Sequence, residues 1–225
     1  MQPPPTDPTI PLTVLQDEIH ACRKCQTAGF IPDARPLTRG TANAPFFIIG
    51  QAPSRTDHET GGMYHGPAGR KLRSWFVQAG FDEADFGTRI YFAAITKCFP
   101  GRKPGMSTDR LPSRAEQALC RPWLDAELTT VAPPVVVLFG GLAIATFLSR
   151  APLADLIGNV YPDPQTPGRV FLPLPHSSGA STWLNAEAHR AQLATAIEAL
   201  RELRAAPSGN VVPPVEAFRL GNPSD

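Results

Sequence analysis

Four cysteines, one histidine-bearing turn and two polar loops hold the residues of this chain that could do chemistry. Cys22, Cys25, Cys98 and Cys120 are all the cysteines it has. The first two form "CRKC", a C-x-x-C spacing that suits two thiolates on one metal centre. With Cys98 and Cys120 they allow a four-thiolate site; the alternative is unrelated core cysteines beside a chance pair. His176 opens "HSSGAS", a turn that offers backbone N–H groups and hydroxyls to an anion. A single histidine at such a place also serves purely structural ends. The stretch "GQAPSRTDHETGGMYHGPAG", Gly50 to Gly69, is rich in Gly and polar groups and holds one aromatic, Tyr64. The loop "FPGRKPGMSTDRLP" carries Arg102, Lys103 and Arg110, with Arg114 just beyond, against Asp109 alone among the acids. A basic loop, an anion-binding turn and an aromatic in a Gly-rich loop together suit a ligand with a phosphate backbone and a flat base.

The elements that must position these groups alternate along the chain. "PFFIIG" (45–50), "RIYFAAITKC" (89–98), "PPVVVLFG" (133–140) and "RVFLPLPH" (169–176) read as four buried strands. Each is a continuous apolar run rather than an alternating one, as in a parallel sheet covered on both faces. Helical patterns lie at 12–25, over "PAGRKLRSWFVQAG", from Ser113 to Val131, over "GLAIATFLSR" and from Thr182 to Ala205. The third has a capping box in Ser113 and Glu116. Thr182 or Asn185 is expected to cap the last. Strand–helix alternation predicts an α/β fold, a three-layer α/β/α sandwich around a small, mostly parallel four-stranded sheet. The strand ends Gly50, Cys98, Gly140 and His176 then share one edge, where open α/β sheets bind ligands.

Composition narrows the classes. The chain has 225 residues and a net charge of +1 at pH 7, so any nucleic-acid footprint must be local. No basic-then-apolar leader opens it, and no apolar run is long enough for a membrane span. The expectation is one domain over 11–205, a disordered lead (1–10), a loose tail (206–225), and a soluble, cytoplasmic monomer with no membrane partner.

Six ordered motifs, "CRKC", "GQAPS", "GGMYHGPAG", "TKC", "CRPWL" and "HSS", carry a resemblance. Over about residues 15–204 the chain resembles the uracil-DNA glycosylase superfamily, and most its iron–sulfur branch, family 4 and its relatives. That branch shows C-x-x-C, G-E-A-P-G, G-R-P-F-x-G-x-A-G, K-C, C-R-P-[YW]-L and H-P-S in the same order. The resemblance implies a 4Fe-4S cluster on Cys22, Cys25, Cys98 and Cys120. It implies excision of uracil from DNA by base flipping and hydrolysis of the N-glycosidic bond; the departure at Ala94, below, extends the expected range to a deaminated purine such as hypoxanthine or xanthine. His176 would stabilise charge developing on the base, aided by backbone N–H groups at Gln51 and Ala52. Tyr64 stands where the family stacks a Phe on the base. Ser54, Ser177, Ser178, Arg102, Lys103 and Arg110 would hold the DNA backbone.

The departures from the pattern matter as much. Gln51 replaces a Glu and cannot ionise. Ala94 replaces an Asn that reads the base, which is expected to leave space and loosen specificity. Asp57 and Asp109 are the candidates for a relocated carboxylate, with His58 and His65 behind them. Asp109 matches the place of a nucleophilic histidine in a DNA-cross-linking branch of the superfamily. The alternative is a non-catalytic iron–sulfur or zinc nucleic-acid-binding module of the same fold.

Overall fold

A computed structural model describes residues 11–177 and 182–206. The expected lead and tail fall outside the described residues, save Ala206. Five strands form one sheet in the order β2-β1-β3-β5-β4: β1 Phe46–Gly50, β2 Ile90–Ala94, β3 Val135–Phe139, β4 Tyr161–Pro162 and β5 Val170–Leu174. The first three and β5 run parallel; β4 is antiparallel to β5. Every residue of β1, β2, β3 and β5 is buried, which is why each is apolar throughout.

The two faces follow from side-chain alternation. Tyr91 stacks on Phe47 and bonds Glu127 of α5 (Arg114–Val131), while Gln16 of α1 (Leu12–Ala21) reaches the same hydroxyl. Phe46 and Phe92 point the other way, onto Phe81, Phe86 and Tyr64, and Trp75 of α4 (Pro67–Gln78) meets Phe139 from that side. The long C-terminal helix α8 (Glu187–Ala205) packs on α4 and β5. The result is the expected α/β/α sandwich.

Four details differ from the sequence reading. The sheet has a fifth strand, β4, two residues long and containing a proline at the sheet edge, too short to leave a pattern. Strand β2 stops at Ala94, four residues before Cys98, although Ile95 N–H still bonds the Gly50 carbonyl at 2.9 Å. The stretch after β1 is not structureless; it holds a short helix, α3 (Arg55–Thr60), capped by Ser54. Neither Thr182 nor Asn185 caps α8, which is preceded by a 3-10 turn and starts after Ala186 with no side-chain cap. The Ser113–Glu116 capping box is present. Short helices α2 (Lys24–Thr27), α6 (Gly141–Phe147) and α7 (Leu153–Leu156) complete the set. Among the described residues no helix is long and apolar enough to cross a membrane.

Candidate active site at the carboxyl edge of the sheet

The carboxyl ends of β1, β2, β3 and β5 bring Gly50, Ala94, Gly140 and His176 to one edge. The His176 ring stacks on Phe139, with centroids 5.1 Å apart and planes at 22°. Burial holds its pKa below the ordinary imidazole value, so the ring is neutral at pH 7. Gly140, at φ +90°, lets the ring lie close; a Cβ there would stand 3.1 Å from it. A neutral imidazole beside an apolar wall is a hydrogen-bond donor suited to an oxygen gaining negative charge.

Tyr64 adopts φ +60°, a left-handed backbone rare for an aromatic residue. Gly69 permits the turn, because a Cβ there would fall 2.2–2.4 Å from the Tyr64 main chain. The Tyr64 ring packs tilted on Phe92 at 5.0 Å and on Phe139 at 6.1 Å. Its hydroxyl donates to the Ala93 carbonyl at 3.2 Å. Burial pushes its phenol far up, so it stays protonated. Ala94 is buried, 1% exposed.

The two candidate carboxylates have different surroundings. Asp57 is buried, and both its oxygens are engaged. Oδ2 accepts from Ser54 N–H at 2.9 Å and Ser54 Oγ at 2.7 Å; Oδ1 accepts from His65 N–H at 2.8 Å. It closes the cap of α3 and ties the far limb of the loop to the near one. Asp109 is half-buried and pairs in register with Arg102. Burial raises its pKa, against a hydrogen bond from the Arg55 N–H and the charge of Arg102. Arg55 opens α3, so Asp109 reaches the loop after β1. The Gln51 amide donates to the Arg110 carbonyl at 3.4 Å and joins the two loops a second time. Gln51 and Ala52 remain partly exposed.

The expected DNA-backbone residues separate as well. Arg102 and Lys103 are exposed. Arg110 is not available to a phosphate: it forms a bidentate pair with Glu116 at 2.7 and 2.7 Å and donates to the Phe30 carbonyl. That hydrogen-bonded pair raises Arg110; on Glu116, burial acts upward but bonds from Arg110 and Ser113 hold the carboxyl low. The Ser177 hydroxyl donates to the Ala68 carbonyl at 2.6 Å, fixing the turn against the start of α4. Ser54 is occupied as the α3 cap. Ser178 lies outside the described residues. His58 sits 3.5 Å from Asp33 and against Phe99, and His65 is exposed.

The four cysteines line one small cavity with Lys24, Thr96, Lys97 and Trp123. Among the described residues no three His, Cys, Asp or Glu side chains converge closely enough to hold a single metal ion. The thiols thus surround a space rather than meet at a point. Burial pushes the thiols of Cys25, Cys98 and Cys120 up, so they would need a bound metal to deprotonate them.

Sequence reasoning missed a buried ion pair beside this cavity. Lys97 and Glu127 are 1% and 0% exposed and bonded to each other. The Lys97 ammonium also donates to the Ala94 carbonyl at 3.1 Å, and its backbone N–H donates to Cys120 Sγ at 3.2 Å. Glu127 accepts from Thr38 and from Tyr91. The signal was a lysine inside an apolar run and a glutamate on the buried face of α5.

A family model described as the uracil DNA glycosylase superfamily matches residues 37–202. The chain belongs to the uracil-DNA glycosylase superfamily. Within that superfamily it is similar to the type-4 uracil-DNA glycosylase of Sulfurisphaera tokodaii, 26% identical over 129 residues, which are 57% of this chain and 54% of the relative. It is also similar to the type-4 enzyme of Saccharolobus solfataricus (25% over 130 residues; 57% and 55%) and to that of Thermotoga maritima (26% over 141 residues; 62% and 67%). The chain spans little more than half the length of the first two.

Proposed function

We propose that this chain is a DNA glycosylase that flips uracil out of DNA and hydrolyses its N-glycosidic bond, as a soluble cytoplasmic monomer in base-excision repair. The reading is supported by His176 and the Gln51–Ala52 backbone, which follow β5 and β1 at the same edge of the sheet, and by the Asp109 loop, which Gln51 joins through the Arg110 carbonyl. Tyr64 and Phe139 provide the apolar wall for a flat base. As the C1′–N bond breaks, the pair of electrons goes to the base, whose carbonyl oxygen gains negative charge. Neutral His176 donates a hydrogen bond to that oxygen, and backbone N–H groups of Gln51 and Ala52 add to it. Water attacks C1′ from the opposite side, oriented by Asp109, which draws off its proton. Asp57 is buried with both oxygens bonded inside its own loop, whereas Asp109 is half-buried, so of the two carboxylates Asp109 takes it. Gln51 holds the Asp109 loop through the Arg110 carbonyl. Arg102 and Lys103 bind the DNA backbone. Hypoxanthine and xanthine are further substrates, because Ala94 supplies no amide to read the base edge.

Cys22, Cys25, Cys98 and Cys120 would hold a 4Fe-4S cluster. Four thiols lining one cavity fit a four-thiolate centre, and the similarity to the type-4 enzymes favours iron–sulfur over zinc. When bound, the cluster supplies a structural tie between the N-terminal helices and the β2–α5 segment. Protein purified without oxygen should be brown, absorb near roughly 400 nm and contain iron; stoichiometric zinc and no iron would reverse this assignment.

The decisive assay is single-turnover release of uracil from an oligonucleotide. His176→Ala is expected to lose about 10²–10³ in rate, the usual cost of one preorganised donor. Binding of uracil-containing DNA with no base release by the wild type would turn the reading into that of a non-catalytic module.

A further inference from the structure

The corner between the ends of β1 and β2 is closed by a side chain from elsewhere. Gly50 and Ala94 are register partners at the last rung of that ladder. Ala94 shares the sheet face of Phe92, two residues before it, and Phe92 packs on Tyr64. A Cβ built on Gly50 would stand 2.5 Å from the Tyr64 hydroxyl and 3.4 Å from the ring carbon that carries it. The hydroxyl also donates to the Ala93 carbonyl of β2 at 3.2 Å. Its one proton is engaged, so it does not donate to the edge of a base.

We propose that Tyr64, Gly50 and Ala94 form one coupled unit in which the tyrosine hydroxyl fills the corner and sets base specificity by exclusion. The unit rests on the uracil reading for its substrate, but the coupling itself does not. The small residues are required by the hydroxyl, and the hydroxyl is tolerated because they are small. A larger side chain at position 94 therefore competes with Tyr64 for the same space, so restoring an amide there alone damages the site. Removing the hydroxyl opens the corner and admits larger bases.

The test compares wild type, Tyr64→Phe, Ala94→Asn and the double variant by thermal melting and by single-turnover rates on uracil and hypoxanthine. Ala94→Asn is expected to melt lower and to lose about tenfold or more on uracil, the scale of modest overpacking. In the Tyr64→Phe background the same change should be well tolerated in both readouts. Equal damage in both backgrounds would overturn the coupling. If Ala94→Asn alone does not fold, recovery of a cooperative melt in the double variant supports the proposal and its continued failure overturns it. Tyr64→Phe should also shrink the uracil-to-hypoxanthine rate ratio by about tenfold; an unchanged ratio would remove the specificity role. A wild type that releases no uracil would defeat the glycosylase reading, while the melting comparison would still decide the coupling.

Discussion

The loop after β1 and the loop after β2 look alike in sequence and differ in what their polar groups do. Residues 51–66 turn inward. Ser54, Asp57 and the His65 N–H satisfy one another, and the Tyr64 hydroxyl bonds the Ala93 carbonyl of β2. Residues 95–113 begin inward and end outward. Lys97 is sealed against Glu127 and Arg110 against Glu116, but Arg102 and Lys103 are exposed and Asp109 is only half-buried. In the proposed reading the first loop builds the wall of the site and the second supplies a carboxylate and positive charge. A polar residue becomes available for chemistry when its neighbours leave its hydrogen-bonding capacity incomplete, whatever its sequence motif.

The largest expected effect breaks the buried start of the second loop. Lys97→Met leaves Glu127 charged and unpaired in the core, at a cost of about 3–5 kcal/mol. Chemical denaturation of the holoprotein should show it, together with lower iron content.

The next two variants set the carboxylates against each other. Asp109→Asn should lower the single-turnover rate by about 10²-fold or more, the range for a lost general base, with little change in melting. Asp57→Asn should do the reverse, lowering stability by about 1–2 kcal/mol through the lost cap and slowing the reaction less. Comparable rate losses in both variants would erase the distinction between the loops.

A pH–rate profile sharpens the same contrast. His176 has a folded pKa below its ordinary 6.5, so its neutral form persists to lower pH, and that limb should fall only as pH drops through the depressed value. Asp109 has a folded pKa above its ordinary 3.8, so ionisation of the base is lost on acidification earlier than for a free aspartate. Both limbs lie on the acid side, and the rate should be flat from neutral pH upward across the range where these two groups no longer titrate. Asp109→Asn should abolish the limb that Asp109 contributes and leave that of His176. An alkaline decline with a histidine-like midpoint in the wild type would contradict the assignment of His176 as a neutral donor.

The smallest effects separate the basic residues. Lys103→Ala should weaken DNA binding evenly across sequences and reduce the salt slope by about 0.7–0.9. Arg110→Ala should leave that slope unchanged while costing about 1–3 kcal/mol of stability, since it strands Glu116.

Much of this protein is determined by local sequence. The unbroken apolar runs at 46–50, 90–94, 135–139 and 170–174 specify buried parallel strands, because both faces of each must be covered. Ser113 and Glu116 specify the start of α5, because a capping box involves only neighbours. Six short motifs in order mark the superfamily and bring His176, Tyr64 and the cysteines forward as candidates. Only the tertiary structure decided which candidates are available. Asp57 and Asp109 cannot be told apart in sequence, since the difference lies in partners supplied by His65 and by the start of α3. Arg110 reads as a phosphate contact until Glu116 is seen beside it. Gly50 gives no sign in sequence that the Tyr64 hydroxyl lies where its Cβ would stand. Burial and pairing are set by residues distant in the chain, and those two quantities fix the charge, reach and free valence of a side chain.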